Sequence, residues 1–271
     1  MIKLNKMISD KIKEIVEQRK RSLVKDIDYM KNIDGKSFRD DRKILSESIK
    51  SNQDISIISE IKPASPSLGN IRIDIDVKTI VNEMESSGVI GLSVLTEPNY
   101  FSGSYENLEL AVSNTKLPCL MKDFVVDPIQ YKIAADVGAT NILIINSICI
   151  LENEYCLAME YGLEPLIEIH EIEEMRDIRH LFDIGFNLKL IGVNNRNLKT
   201  LKINLITSKQ IVPELKQEFG EKIQVVSESG INTLEDIKFI QPYGADAFLI
   251  GSSIMQSNNI KKKIHELRGL K

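Results

Sequence analysis

Eight short runs rich in β-branched and aliphatic residues, each followed by a polar stretch with helical spacing, constrain this chain more than any other feature of it. The runs are SIISEIK (56–62), GLSVLTE (91–97), LPCLMKD (117–123), TNILIIN (140–146), EPLIEIH (164–170), LKLIGVN (188–194), IQVVSES (223–229) and ADAFLIG (245–251). Between them lie amphipathic segments such as VKTIVNEMESSG, in which Ile80, Val81 and Met84 share a face, and LEDIKFIQPYG, which stops at Pro242 and Gly244. Strands that alternate with helices pair in parallel, and eight such units can close into a barrel. A doubly wound open sheet is the rival. Closure is favoured because polar residues stand at the C-terminal ends of nearly all the runs, whereas an open sheet gathers its ligand residues around one switch point. The expected fold class is therefore α/β, a (β/α)8 TIM barrel with an N-terminal helical extension.

The extension is residues 1–50, where Ile8, Ile12, Ile15 and Val16 have helical spacing. It reads as helices packed on the barrel, so that residues 1–271 form one barrel domain, with no room for a fused second enzyme domain. The basic run from Arg19 to Arg21 reads as a solvated helix face. A net charge of -4 and 6% aromatic residues argue against a broad nucleic-acid surface, but a small anionic ligand needs only a local positive site. Cys119, Cys149 and Cys156 lack paired metal-type spacing and are expected to be reduced core residues. No stretch has the unbroken apolar region of a signal peptide or the ~20 apolar residues of a membrane span. A soluble, cytoplasmic, monomeric protein without a membrane partner is expected.

A parallel barrel carries its active site at the C-terminal mouth of its strands, so charged residues there are informative. The first run ends with Glu60 and Lys62, the third with Lys122, the fifth with Glu168, the sixth with Asn194 and the seventh with Glu228. Positions two apart on a strand share a face. The register that turns Glu60 and Lys62 inward sends Ile55, Ile57 and Ile61 outward against helices, and the register that turns Lys122 inward sends Cys119 and Met121 out. Any one of these charges could be a structural ion pair, but six polar residues at equivalent ends predict a shared pocket. The last two runs add SESGI (227–231) and LIGSSIM (249–255), where glycine and small residues follow a strand directly. Phosphate sites of such barrels are often built from the loops after the seventh and eighth strands. Ser229, Gly230, Gly251 and Ser252 are thus the expected phosphate cradle.

On these residues the sequence resembles the indole-3-glycerol phosphate synthase family. The matching stretches are SFRD (37–40), IISEIKPASPSLG (57–69), LSVLTEPNYFSGSYENL (92–108), LPCLMKDFVVDPIQ (117–130), LIEIH (166–170), IGVNNRNL (191–198), VSESGI (226–231) and FLIGSSIM (248–255), in the family's order. The resemblance implies a carboxy-lyase of tryptophan biosynthesis. Its substrate would be the small molecule 1-(2-carboxyphenylamino)-1-deoxyribulose 5-phosphate, cyclised with loss of carbon dioxide and water, with neither metal nor organic cofactor. It further implies Lys122 as the general acid at the carbonyl oxygen, Lys62 on the substrate carboxylate, Glu168 as the carboxylate serving the dehydration, and Glu60 positioning the lysines. Asn194, Arg196, Glu228 and Leu249 become substrate-binding residues, with Ser65 near the anionic groups and Phe101 and Phe124 walling the anthranilate ring. The division of labour between the two lysines stays open.

Two departures from the family pattern are present. Pro63 stands where a basic residue usually follows the first lysine, and Asn197 replaces the common Asp, which removes a possible partner for Arg196. His170 reads as structural support for its strand end. Two other functions compete. A phosphoribosylanthranilate isomerase-like sugar-phosphate isomerase would explain the phosphate cradle but not two inward lysines in EIKPASPS and MKDF. A non-catalytic phosphate-ligand binding protein would have no need of the acids and bases.

Overall fold

The computed structural model describes residues 8–32, 42–72 and 74–270. The SFRD stretch at 37–40 lies outside the described residues. Eight parallel strands form a closed barrel: β1 (Ile57–Ile61), β2 (Gly91–Leu95), β3 (Cys119–Lys122), β4 (Asn141–Ile145), β5 (Glu164–Ile169), β6 (Leu190–Asn194), β7 (Gln224–Glu228) and β8 (Ala247–Ile250). Each pairs with its sequence neighbour, and β8 closes on β1 with Ile57, Ile58 and Ser59 opposite Phe248, Leu249 and Ile250. All eight expected runs are strands, and the open-sheet alternative is excluded.

The period-2 alternation of each strand divides the apolar residues into two layers. Ile58, Leu120, Leu143, Leu166, Leu190 and Val226 fill the barrel interior. Ile57, Ile61, Cys119 and Met121 face outward and pack on Val81, Met84, Leu108 and Ile133 of the surrounding helices. Local signals start those helices where the strands require them. In α5 (Pro128–Asp136), Asp127 and Gln130 form a reciprocal capping box with proline at the first helical position, and Thr233 and Asp236 do the same for α9 (Leu234–Ile240).

The two leading helices occupy opposite ends of the barrel. The short α2 (Leu45–Ser51) closes the N-terminal end of the strands. Its first backbone N–H groups, which no helical carbonyl can satisfy, donate from Leu45 to Asn141 Oδ1 at 3.2 Å and from Ser46 to Glu164 Oε2 at 3.0 Å. The 23-residue α1 (Asp10–Asn32) reaches the other end, where Ile12 and Ile15 border the mouth.

Two expectations need correction here. Arg19 is not on a solvated face: it is 0% exposed, because Arg19, Ser22 and Asp26 continue the buried stripe of Ile8, Ile12 and Ile15 at helical spacing. Its guanidinium bonds Asp26 at 2.7 Å and Asp123 at 3.0 Å, while the neighbouring Arg21 is exposed. Cys156 is not a core residue either. Its helix, α6 (Leu151–Glu160), buries Leu151, Tyr155 and Ala158, and the next position after Tyr155 is turned out to solvent. Cys119 and Cys149 are buried as expected. Among the described residues, no helix is long and apolar enough to cross a membrane.

Candidate active site

A cavity of about 490 Å³ opens at the C-terminal mouth of the strands. Glu60, Lys62, Ser65, Phe101, Lys122, Phe124, Glu168, Asn194, Arg196, Ser229, Gly230, Leu249, Gly251 and Ser252 all border it. The sequence had dispersed these residues over nearly two hundred positions, and parallel closure brings their strand ends together. Glu228 alone among the expected site residues does not border the cavity. It is 0% exposed, and its Oε2 meets the Lys122 ammonium.

Lys122 is the centre of the cluster. Its Nζ lies 2.5 Å from Glu228 Oε2, 3.6 Å from Glu60 Oε2 and 3.9 Å from Glu168 Oε2, so three carboxylates from three other strands surround one ammonium. Burial lowers the pKa of such a lysine, but Glu228, Glu60 and Glu168 together outweigh it and raise the value above its ordinary range. Lys62 pairs with Glu60 Oε1 at 2.5 Å. Burial pushes the Glu60 carboxyl up, Lys62 and then Lys122 push it down, and the ammonium groups win.

The other two carboxyls diverge. Glu228 is pushed up to about 7, chiefly by burial and then by Glu168 and Glu60, in spite of Lys122. Glu168 is equally buried, yet His170 and then Lys122 hold it down at about 2. Equal burial thus leaves the two carboxyls shifted in opposite directions, because only Glu168 has an imidazole set against it. Gly192 makes the cluster possible from below, since a Cβ there would overlap Glu228 Oε1.

The loops after the strands shape the rim. Ser65 Oγ accepts from the Leu68 backbone N–H at 3.2 Å and fixes a turn, closed by a two-residue ladder between Ala64–Ser65 and Gly69–Asn70. Pro63 contributes its carbonyl to that turn, accepting from Ile71 and Arg72 N–H at 2.8 and 2.9 Å. The Phe101 and Phe124 rings are 6.4 Å apart at 39°, making an apolar wall. Arg196 donates to Leu201 O at 3.0 Å and Ser67 Oγ at 3.4 Å, neutral oxygens that leave its charge uncompensated by any described carboxylate. Asn197 does not face Arg196. Its Oδ1 instead accepts from the backbone of Lys199 and Thr200 at 3.0 and 2.8 Å and shapes the 197–202 turn.

Several neighbours of the site went unread in the sequence. Lys11, Ile12 and Ile15 of α1 border the cavity, and only the fold brings a leading helix to the mouth. Asn195 is fully buried, and its Nδ2 donates to the carbonyls of Glu228 and Ser229 at 3.0 Å each. It thereby holds Ser229 and Gly230 at φ +68° and +81°, a left-handed pair that tips the post-β7 backbone toward the cavity. The doubled asparagine in VNNRN was the available signal. Among the described residues, no group of three or more His, Cys, Asp and Glu side chains is arranged to hold a metal ion.

Comparison with known proteins places the sequence in a family. A family profile described as indole-3-glycerol phosphate synthase matches residues 4–267. A protein of that name from Methanocaldococcus jannaschii is 44% identical, over 93% of this chain and 97% of its own. Another from Desulforamulus reducens is 35% identical, over 96% of this chain and 97% of its own. In fold, the chain is similar to crystalline 3-hexulose-6-phosphate synthase from Salmonella typhimurium, with a TM-score of 0.58 at 12% identity over 79% of this chain and 97% of that one. That likeness shows the barrel alone, whereas the match across nearly the whole sequence shows that the chain belongs to the indole-3-glycerol phosphate synthase family.

Proposed function

We propose the following division of labour for the ring closure that this family catalyses, in which 1-(2-carboxyphenylamino)-1-deoxyribulose 5-phosphate becomes indole-3-glycerol phosphate, carbon dioxide and water. The ring carbon that bears the carboxylate attacks the ketone, and Lys122 protonates the developing alkoxide. A lysine held as ammonium by three carboxylates suits that step, because an alkoxide is far more basic than the amine left behind. Lys62 orients the substrate carboxylate that leaves as carbon dioxide, and Glu60 positions both ammonium groups. The hydroxyl then departs as water on a proton from the lysine pair, while Glu168 accepts the proton lost by the intermediate. One proton is taken up per turnover, as decarboxylation of a carboxylate requires.

The phosphate is assigned to Ser229, Gly230, Gly251 and Ser252, with Arg196 as a further substrate-binding residue and Ser65 near the anionic groups. Phe101 and Phe124, with Leu249 below, enclose the aromatic ring. Asn194 bonds the substrate hydroxyls, and Glu228 acts through Lys122. The reading is of one barrel domain with residues 1–50 as its extension, working as a cytoplasmic monomer on a small-molecule substrate.

The observation that carries this reading is the ammonium of Lys122 within 3.9 Å of carboxylates from β1, β5 and β7, at one end of a closed barrel. Incubation of the chain with the carboxyphenylamino substrate should produce indole fluorescence. Absence of product at micromolar enzyme would refute it.

A further inference from the structure

We infer that His170 is a positioning residue for Glu168, holding that carboxylate ionised and aimed into the mouth through turnover. The inference rests on the assignment of Glu168 as the base. The imidazole is 4% exposed and lies between two carboxylates. Its Nε2 stands 2.9 Å from Glu168 Oε1, and its Nδ1 3.8 Å from Glu174 Oε2. These are charge contacts more than directed bonds, since neither ring nitrogen has an aligned hydrogen-bond partner among the described residues.

Glu174 is itself firmly held. It accepts from the backbone N–H groups of His170 and Glu171 at 2.6 and 3.2 Å, from Ser147 Oγ at 2.5 Å and from Asn146 Nδ2 at 3.1 Å. The imidazole therefore rests on a fixed support. Glu168 presents its other oxygen, Oε2, to Lys122 at 3.9 Å. A reacting group, a second group that orients it and a third that anchors the second is the general arrangement by which enzymes fix a base.

Electrostatics gives this support a chemical consequence. A carboxyl as hidden as Glu168 would keep its proton, and a protonated carboxyl accepts none. Burial is the largest influence on Glu168, and His170 is the largest influence against it, ahead of Lys122. Burial likewise lowers His170, but Glu168 and then Glu174 raise it to about 9. The charged groups around the ring are Glu168 of β5, Glu171, Glu173 and Glu174 in the turn after it, and Arg176 and Asp177 at the start of α7 (Met175–Asp183). Carboxylates predominate there, so the imidazole is kept cationic at neutral pH.

The ring also borders a second cavity of about 220 Å³ outside the mouth. That cavity supplies a route for chemical rescue. His170→Ala and His170→Asn would be compared with wild type across pH, with and without excess free imidazole. We expect His170→Ala to lower kcat ~10- to 100-fold at pH 7 with KM within about threefold, the range for a base left in the wrong protonation state. The acid limb of its kcat profile should move upward by at least about one pH unit. Imidazole should restore the rate saturably in His170→Ala but not in His170→Asn, whose side chain occupies the space. A loss equal at every pH and untouched by imidazole, in a folded variant, would overturn the inference and leave only packing. A second readout needs no turnover: the ¹³C carboxyl signal of Glu168 should titrate at higher pH in His170→Ala than in wild type. If wild type makes no product, the assigned reaction fails on its own. An unchanged Glu168 titration overturns the role of His170 whatever the reaction.

Discussion

Replacing Arg19 by methionine should loosen α1 from the barrel without unfolding the rest. The guanidinium donates from Nε to both oxygens of Asp123 at 3.0 and 3.1 Å, from Nη2 to Asp26 and the Tyr105 hydroxyl at 2.7 Å each, and from Nη1 to Ser22 at 3.1 Å. Methionine fills much of the volume but leaves two buried carboxyls without their cation, and breaking a buried pair from one side costs about 3–5 kcal/mol. Asp123 is held up at about 6 by burial even beside Arg19, so without it the group takes a proton near neutral pH and the penalty falls at the lower end of that range. Ile12, Ile15 and Val16 still pack, so the helix remains formed. About 3 kcal/mol off the local opening energy corresponds to roughly a 100-fold loss of amide-exchange protection. Hydrogen exchange of peptides within 10–26, read at pH 7 with circular dichroism as the folding control, measures it. Adding Asp26→Asn and Asp123→Asn should return at least half of the protection, because the carboxylates that required the cation are gone. A change smaller than about threefold, the value of an exposed helix pair, would refute the claim that this buried network fastens α1.

Further consequences can be measured separately. Lys122→Ala should lower turnover by at least ~10²-fold, the lower range for a positioned acid, and unchanged steady-state kinetics would remove Lys122 from the chemistry. Gly192→Ala should lower kcat with the fold intact, since its methyl group displaces Glu228 from behind Lys122; wild-type kinetics would mean that Glu228 has no influence there. Gly251→Asp should raise KM through repulsion of the phosphate and also lower kcat, because any Cβ at 251 meets Glu60 Oε1 at 2.5 Å; an unaltered KM would count against the cradle. His170 has its pKa raised from 6.5 unfolded to about 9 folded, so its charge stabilises the protein fully below 6.5 and ceases to do so as pH rises through 9. The stability gap between wild type and His170→Asn, on the order of 3 kcal/mol at pH 6, should therefore close between pH 6.5 and 9 in denaturant titrations; a gap independent of pH would contradict the charge.

The barrel was legible because its signals are local and repeated. Ile57 and Ile61 alternate with Ile58 and Glu60 in a period that permits only one inward set, and the same logic at Lys122 and Glu168 gave the mouth. What stayed hidden depends on contacts between distant segments. Arg19 sits beside Lys20 and Arg21 in the chain and reads as solvent-facing by composition, although its helical phase with Ile12 and Ile15 already put it on the buried side. The aspartate that meets it is 104 positions away. Glu228 was read correctly as facing inward, but how deep it lies depends on the side chain missing at Gly192, on another strand. His170 was seen as support for a strand end. Its partner Glu174 lies in a turn whose course no period in the sequence describes.

Two influences conflict at Lys122: burial, which would loosen its proton, and neighbouring carboxylates, which would hold it. The geometry decides for the carboxylates, and this changes what is asked of the lysine. It need not be half-deprotonated at rest if the oxygen it serves becomes an alkoxide, because that oxygen will take a proton from an ammonium of high pKa. Nor can such a compensated cluster do much to attract an anionic substrate, since Glu60, Glu168 and Glu228 offset the charges of Lys62 and Lys122. Capture then depends on cations that the carboxylates leave alone. Arg196 is one, bonded to neutral oxygens at the rim. In the proposed scheme the Arg196 charge is thus available to the substrate, while Asn197, whose Oδ1 is taken by its own turn, plays no part in that.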